Sequence, residues 1–433
     1  MDRSRKLGKL ARGVSIIGVG MTKQGCVAIT PEMKGMTERE LWHWAAREAM
    51  EDAHCRPQDI QAQYVGNTAG LFFTGDFHLD GHLQRWCGLK RDGLGVAGCR
   101  VESACSAGAH AMREAIFAIA SGVYDVVLAG GVECSTTALN REGPGVISAI
   151  DLAEIYKGYM AGCDRLIHYL QEPWATTILG GWMTAYAYEF GLSKADIYDA
   201  LDGRTISRHH SAAHNPKAYL NFEIEDYARE RGFASAKEFL HSKLNPVEWW
   251  PIRFWDFEIA TDGAACIILC ATERAKEFHQ DPIHALGTGC AHGQLYNPTY
   301  SCPAIVEAAR QAYEMADLTP EDVDFLECYV CGGCVEFTVA EDVGFAKRGE
   351  YWKIVRDLRT AFDGDKPVSP SGGLKALGDT VGAVGACQAY EVVKQIRGEA
   401  GSRQIHPIPR VGLTHTLGGT GDTTQVINLY GRK

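Results

Sequence analysis

The sequence predicts an α/β protein made of two related halves with an insert between them, and three observations carry that prediction. Apolar runs of strand length alternate with segments of helical spacing, the pattern of a layered domain with a largely parallel sheet. Residues 45–61 align without a gap on residues 308–324, with about half the positions identical, so a helix leading through a proline turn to a strand occurs twice. From about residue 151 to 256 the texture changes, alternating aromatic and charged segments such as Gly180-Gly181-Trp182-Met183 and Ser207-Arg208-His209-His210.

Composition bounds the function classes. A chain of 433 residues with 46% hydrophobic content can bury large cores and should hold two or three domains. The net charge of −11, with no cluster of Lys and Arg, argues against a nucleic-acid groove. Fifteen cysteines scattered through apolar segments, without a signal peptide, suit a reducing cytoplasm. No apolar run is long enough to span a bilayer. The basic start, Met1 to Arg12, reads as a solvated arm.

In chain order, Val14-Ser15-Ile16-Ile17-Gly18-Val19-Gly20 reads as a buried strand. A helix follows, capped by Thr37 with Glu40 three residues on and carried by Leu41, Ala45, Ala49 and Ala53. Pro57-Gln58-Asp59-Ile60 turns the chain into a strand around Tyr64-Val65. Ser103-Ala104-Cys105-Ser106-Ala107-Gly108 then opens an alanine-rich helix that ends near Ser121-Gly122. A cysteine among small residues at a helix N-terminus is placed to be a nucleophile, because unpaired N–H groups and the dipole favour its thiolate. Tyr124 to Gly131 reads as another buried strand. The aromatic and charged segment looks like an inserted lid, and its Trp182, Trp249, Trp250 and Trp255 suit either a pocket or the lid's own core. Thr261-Asp262-Gly263-Ala264-Ala265 leads into a strand that completes the first half.

Three marked loops follow in the second half. Cys328-Tyr329-Val330-Cys331-Gly332-Gly333-Cys334 has metal-like cysteine spacing but no fourth ligand, so no metal is assigned. Residues 370–385 form a glycine loop opening a helix and match no phosphate-binding fingerprint. Residues 413–421 form a third loop before a last strand, Gln425 to Tyr430.

Taken together, these motifs resemble the thiolase superfamily from Val14 to the C-terminus. Ser103 to Gly108 looks like its nucleophile loop, and Gly130-Gly131-Val132-Glu133 and Asp262-Gly263-Ala264-Ala265 look like its GGxE and DGAA segments. Gly378 to Gly385 and His415 to Gly421 look like its two glycine loops. The pattern is most similar to the sterol-carrier-protein-x and archaeal branch, with Cys331 on that branch's motif cysteine. The resemblance implies the thiolase fold, two duplicated α/β halves in a five-layered αβαβα core with an inserted loop domain. The domains expected are 1–150 for the N-terminal half, 151–255 for the insert, 256–275 for the return strand and 276–433 for the C-terminal half. It also implies CoA-dependent cleavage of a β-oxoacyl-CoA, a bulky or aromatic one such as 2-benzoylsuccinyl-CoA. Cys105 is then the nucleophile, Cys331 the acid/base, and the N–H groups of Cys105 and Gly418 an oxyanion hole. CoA is a co-substrate, with no covalently bound cofactor. A homodimer with a small zinc-ribbon/OB-fold partner subunit is the implied assembly.

Two positions depart from the family pattern. Asp379 stands where the glycine-loop histidine is expected, and Tyr329 where the cysteine loop has Asn or His. Asp379 either accepts the Cys105 proton or caps a helix. As the base, its loss should raise the apparent pKa of Cys105. An ionised carboxylate cannot donate to an enolate, so His415 and Tyr329 are the candidate donors. Retro-aldol cleavage of a β-hydroxyacyl-CoA and a non-catalytic scaffold remain as alternatives, and the presence of Cys105 argues against the first.

Overall fold

A computed structural model describes residues 8–68, 70, 74–90, 92–136, 174–293, 300–419 and 423–432. The start of the basic arm (1–7), the first part of the insert (151–173) and residues 420–421 of the last glycine loop lie outside the described residues. The first half contains β1 (Val14–Met21), α1 (Glu38–Ala53), β2 (Ala62–Gly66), α2 (Leu79–Cys87), β3 (Ala97–Val101), α3 (Ala107–Ala120) and β4 (Val126–Glu133). The insert contributes α4 (Trp174–Phe190), α5 (Lys194–Ala213), α6 (Ile224–Glu230), α7 (Ala236–Leu240) and the small ribbon β5 (Val247–Trp249) and β6 (Ile252–Arg253). The chain returns as β7 (Gly263–Ala271). The second half is β8 (Ile283–His292), α8 (Pro303–Ala316), β9 (Phe325–Cys328), α9 (Gly333–Asp342), α10 (Tyr351–Arg356), α11 (Gly373–Ala376), α12 (Val384–Arg397), β10 (Val411–Gly418) and β11 (Thr424–Gly431).

The duplication extends further than the repeated segment. In β1, a Cβ on Gly18 or Gly20 would stand 2.2 Å from Ala49 O or 2.1 Å from Ala45 O of α1. In β8, Gly287 and Gly289 meet Ala312 O and Ala308 O of α8 at 2.3 and 1.9 Å. Each first helix therefore lies directly on a strand that carries two glycines at the closest approach. Both helices also end on a left-handed residue, His54 (φ 51°) in one copy and Asp317 (φ 60°) in the other. The predicted cap of α1 is present, with the Thr37 N–H donating to Glu40 Oε2 at 2.8 Å.

The nine strands run in the order β3-β2-β4-β7-β1-β8-β11-β10-β9. The two halves join where Val14–Ile16 pair antiparallel with residues 283–285. The sheet is mixed, which corrects the expectation of a largely parallel one: only β2–β3, β2–β4 and β9–β10 are parallel. The reason is that β7 and β11, the last strands of their halves, each lie antiparallel to both of their neighbours. Residues 413–418, read as part of a loop, belong to β10 for the same reason.

Side-chain alternation then builds five layers. Ile17, Leu128, Cys266 and Ile268 face α1, whereas Ile16, Val127, Ile267 and Leu269 face inward. The inward layer holds α3 and α12 together, through Met112, Ile116, Val392 and Ile396. On the far side of the second half, Leu326, Leu413 and Ile427 pack against α8, α9 and the insert.

The insert is fastened down rather than free to act as a lid. Trp182 and Tyr186 of α4 are buried against Phe337 and Val335 of α9. Glu336 receives Arg204 at 3.1 Å, Arg208 at 3.2 Å and the Tyr351 hydroxyl at 2.8 Å, all of them buried. Trp255 joins Phe222, Tyr227 and Phe239 in an aromatic cluster of the insert itself. Trp249 and Trp250 are exposed. Among the described residues, no helix is long and apolar enough to cross a membrane. Removing Glu336 would leave two buried guanidinium groups uncompensated. Glu336→Ala should lower unfolding free energy by about 3–5 kcal/mol in a urea titration, and an unchanged midpoint would show that the network does not hold the insert.

Candidate active site

The nucleophile turn follows β3 and is held from both sides. Ala104 is in the left-handed region (φ 47°), a conformation that costs a residue with a Cβ of order 1–3 kcal/mol. The Ala104 N–H donates to Glu102 Oε1 at 2.7 Å, and the Ala104 carbonyl accepts the Thr68 hydroxyl at 2.6 Å. Ser106 and Ala107 N–H groups bond back to Ser103 and Ala104 carbonyls. Cys105, two residues before the start of α3, is thereby left partly exposed at the bend.

Four chain segments converge on this thiol. Cys105 and Cys331 pack with Tyr329, Leu374, Val384 and Leu417. The Tyr329 hydroxyl donates to Asp379 Oδ2 at 3.1 Å, and Asp379 Oδ1 accepts the Val381 N–H at 2.8 Å. Asp379 thus closes a local turn two residues on, while the cap positions of the turn and helix that follow are Thr380 and Ala383. Gly418 touches the nucleophile turn from β10: a Cβ there would lie 2.4 Å from Ser106 Oγ and 2.5 Å from Ser103 O.

His415 is placed differently. It is buried in β10, with Nε2 2.8 Å from Gln425 Oε1 and its carbonyl accepting the Tyr329 N–H at 2.8 Å. Burial pushes its pKa down to about 4, so the ring is neutral at pH 7. Through its backbone it positions Tyr329, and its ring is engaged with β11 rather than with Asp379. The three cysteines of the loop also diverge. Cys328 faces Ser369 and Cys334 donates to Leu179 O at 3.1 Å, leaving Cys331 as the one beside Cys105. Among the described residues, the side chains that converge with metal-ligand geometry are His210, His214 and Glu223 of the insert, not these cysteines.

The electrostatics reverse one expectation. Burial pushes the Cys105 thiol well above its ordinary pKa, the charge of Asp379 pushes it further, and only the Tyr329 hydrogen bond acts the other way. The position near a helix start does not make a resting thiolate here, because desolvation outweighs it. Asp379 is itself raised, by burial, against its bonds to Val381 and Tyr329. The resting pair is therefore a neutral thiol next to a carboxyl group whose pKa is raised to about 6.

Sequence reasoning missed three acidic or basic groups here. Glu133, at the end of β4, accepts the N–H groups of Thr68 at 2.9 Å and Gly382 at 3.2 Å, and so ties the nucleophile layer to the Asp379 loop. Glu258 and Lys375 lie at the pocket wall, the Lys375 ammonium 4.8 Å from the Trp255 ring centre. The one signal for Glu258 was a carboxylate three residues before Thr261-Asp262-Gly263. Asp262 itself is structural, accepting the N–H groups of Val27 and Thr136 at 2.8 Å.

Comparison with known proteins gives the family and the fold. Residues 14–231 match the family "Thiolase, N-terminal domain" and residues 287–431 match "Thiolase C-terminal domain-like". The chain is 33% identical over 420 residues to an acetyl-CoA acetyltransferase of Methanothermobacter thermautotrophicus, covering 96% of this chain and 98% of that protein. It is 29% identical over 421 residues to the benzoylsuccinyl-CoA thiolase subunit BbsB of Thauera aromatica, covering 95% and 96%. Among solved structures it is similar to the Ltp2-ChsH2(DUF35) aldolase (TM-score 0.72, 19% identity, 98% of each chain). It is also similar to human mitochondrial 3-ketoacyl-CoA thiolase (TM-score 0.69, 18% identity, 98% of this chain and 100% of that one). These two show the fold.

The charge relation between Asp379 and Cys105 is testable. Because the carboxylate raises the thiol, Asp379→Asn should shift iodoacetamide alkylation of Cys105 to lower pH, opposite to what loss of a base alone would do. A profile that stays in place or moves to higher pH would show that the Asp379 charge does not control the thiol.

Proposed function

Because the chain belongs to the thiolase family, we propose that it cleaves a β-oxoacyl-CoA thiolytically, through an acyl group carried on Cys105. It is an acyltransferase that uses CoA. The observation that supports this reading is the convergence of Cys105, Tyr329, Cys331 and Asp379, from separate segments of both halves, around one partly exposed thiol.

In the proposed cycle Asp379 takes the Cys105 proton, and the sulfur adds to the keto carbon. The carbon–carbon bond then breaks, with its electron pair going to the departing enolate. Asp379 is neutral at that moment because it holds the thiol proton, so the repulsion expected between carboxylate and enolate does not arise. The Cys331 thiol protonates the enolate carbon, and the shortened acyl-CoA leaves. CoA then enters, its thiol proton goes back to the base left when Cys331 gave up its own, and its sulfur attacks the thioester. Cys105 is released and regains its proton from Asp379. We assign the N–H groups of Cys105 and Gly418 to the oxyanion, which the contact of Gly418 with the nucleophile turn supports.

For the acyl group we propose a bulky or aromatic chain, with 2-benzoylsuccinyl-CoA as the example. The similarity to the BbsB subunit supports it. Trp182 and Trp255 do not add support, since Trp182 is buried against the second half and Trp255 belongs to the aromatic cluster of the insert. We divide the chain into halves 1–150 with 256–275, and 276–433, around the insert 151–255.

We also propose a homodimer through the N-terminal halves, together with a small zinc-ribbon/OB-fold partner. Support for the dimer comes from the sheet edge. β3 has exposed residues at its start, and Phe77, Trp86 and Leu94 beside it are exposed apolar side chains. An open edge next to apolar surface is a pairing surface. Native mass spectrometry with metal analysis on the co-expressed proteins should find a dimer with zinc in the partner. A stable, active, zinc-free monomer would refute this assembly.

The chemical roles separate in two variants. Cys105→Ala should abolish the acyl-enzyme and turnover. Cys331→Ala should still acylate Cys105 while turnover falls by roughly two to four orders of magnitude, the range for a lost acid/base. Rapid quench with mass spectrometry reads both, and acylation of the Cys105→Ala variant equal to wild type would defeat the reading.

A further inference from the structure

We propose that Glu258 is a further proton-holding group of the same pocket, passing a proton to and from Cys331 during turnover. This deepens the thiolytic reading and rests on it.

The backbone holds Glu258 between the two loops that carry the chemistry. Its neighbour Phe257 pairs with Gly332, next to Cys331. On the other side, the Ile259 N–H donates to Leu374 O at 3.3 Å and the Ile259 carbonyl accepts the Asp379 N–H at 2.8 Å. The Thr261 N–H closes the contact, donating to Asp379 O at 2.9 Å. A residue pinned this way has little freedom to swing out to solvent. Its Oε2 is buried and has no hydrogen-bond partner among the described residues. A buried carboxyl oxygen without a partner costs free energy unless the group is neutral or meets a ligand.

The groups that act on Glu258 come from several elements. Asp379 pushes its carboxyl up, adding to burial, while Arg204 of α5 and Lys375 of α11 push it down. Arg204 is already engaged with Glu336 and the Asp256 carbonyl. The balance raises Glu258 above the usual carboxylate range. Conversely, after burial, Glu258 is the largest influence that raises the Cys331 thiol, and it acts also on Tyr329 and Cys105. So the most strongly affected partner of this carboxyl group is the thiol assigned to proton transfer.

The step balances without any oxidant or added reagent. The Cys331 S–H bond breaks as its proton goes to the enolate carbon, leaving a thiolate. The Glu258 O–H proton then passes to that sulfur, which leaves a carboxylate beside Lys375. When CoA attacks the thioester, its thiol proton goes to the Glu258 carboxylate and restores the starting state. A buried thiolate is poorly solvated, whereas a Glu258 carboxylate is favoured by the charge of Arg204 and, when protonated, of Lys375, whose own pKa burial lowers to about 7. Moving the charge from Cys331 to Glu258 therefore lowers the cost of waiting for CoA.

Glu258→Gln keeps the size and removes the proton. The expected result is a normal acylation burst on Cys105, turnover lower by roughly two to three orders of magnitude, and loss of the alkaline limb of the kcat–pH profile. Glu258→Asp should recover part of the turnover together with that limb. Infrared difference spectra read the group independently of activity: wild type should show a protonated carboxyl band at pH 7 that fades at higher pH and is absent from Glu258→Gln. Wild-type turnover and pH profile in Glu258→Gln would overturn the proposal, and so would an infrared spectrum without that band. A Glu258→Asp variant as slow as Glu258→Gln, with the limb intact in both, would also overturn it. Absence of any acyl group on Cys105 in wild type would instead overturn the thiolytic reading, a result distinguishable from the others.

Discussion

Everything at the site depends on how closely the two halves approach at their shared middle layer. A Cβ on Gly385 would lie 2.4 Å from Ala109 N, one on Gly131 2.5 Å from the Ala383 Cα, and one on Gly108 2.6 Å from Gly382 O. These are backbone contacts, so no side-chain rearrangement relieves them. They bring the start of α3, which carries the nucleophile turn, against the start of α12, which follows the Asp379 loop. The Glu133 carboxylate then closes the same joint by accepting N–H groups from Thr68 and Gly382. Cys105 and Asp379 are 274 positions apart in the numbering of the chain, and this joint makes them neighbours.

The pocket that results is more acidic than a cysteine nucleophile ordinarily tolerates. Asp379, Glu133 and Glu258 all raise the Cys105 thiol, and the Tyr329 hydroxyl works against them. Such a site does not store a thiolate in its resting state. Burial raises the thiol more than it raises the Asp379 carboxyl group, so the proton rests on sulfur and its transfer to Asp379 is uphill until substrate binds. The replacement of a histidine by Asp379 is thereby less severe than composition suggests, because desolvation gives the carboxyl group some of the proton affinity that an imidazole has by nature.

Much of this arrangement was legible before the structure. The repeat at residues 45–61 and 308–324 announced two halves, and the small residues around Cys105 announced a tight turn before a helix. The Thr37 cap and the proline turns stand where their residue types placed them. What was not legible depended on contacts across the chain. The direction of β7 and β11 is set by which strands they lie between, and no periodicity within them records it. The paired glycines of β1 and β8 carry no sign in the sequence of α1 and α8 lying on them. Glu258 sits in a segment whose sequence reads as a connector, and its importance comes from Gly332 and Asp379, distant in sequence. For His415 the sequence offered a candidate donor or a packed loop histidine, and strand pairing turns its ring toward Gln425.

The buried network around Glu336 has a consequence for the order in which the protein becomes whole. Arg204 and Arg208 leave the ribosome well before Glu336 and Tyr351 exist, so α5 cannot bury its guanidinium groups while only the first half has been made. The first half alone also lacks the second central helix that its inner face needs. A nascent chain therefore keeps its insert solvated until late in synthesis, and the final docking of α5 onto α9 occurs only when the Cys331 loop has also been formed. Completion of the catalytic pocket and seating of the insert thus belong to one late assembly event rather than to two independent ones.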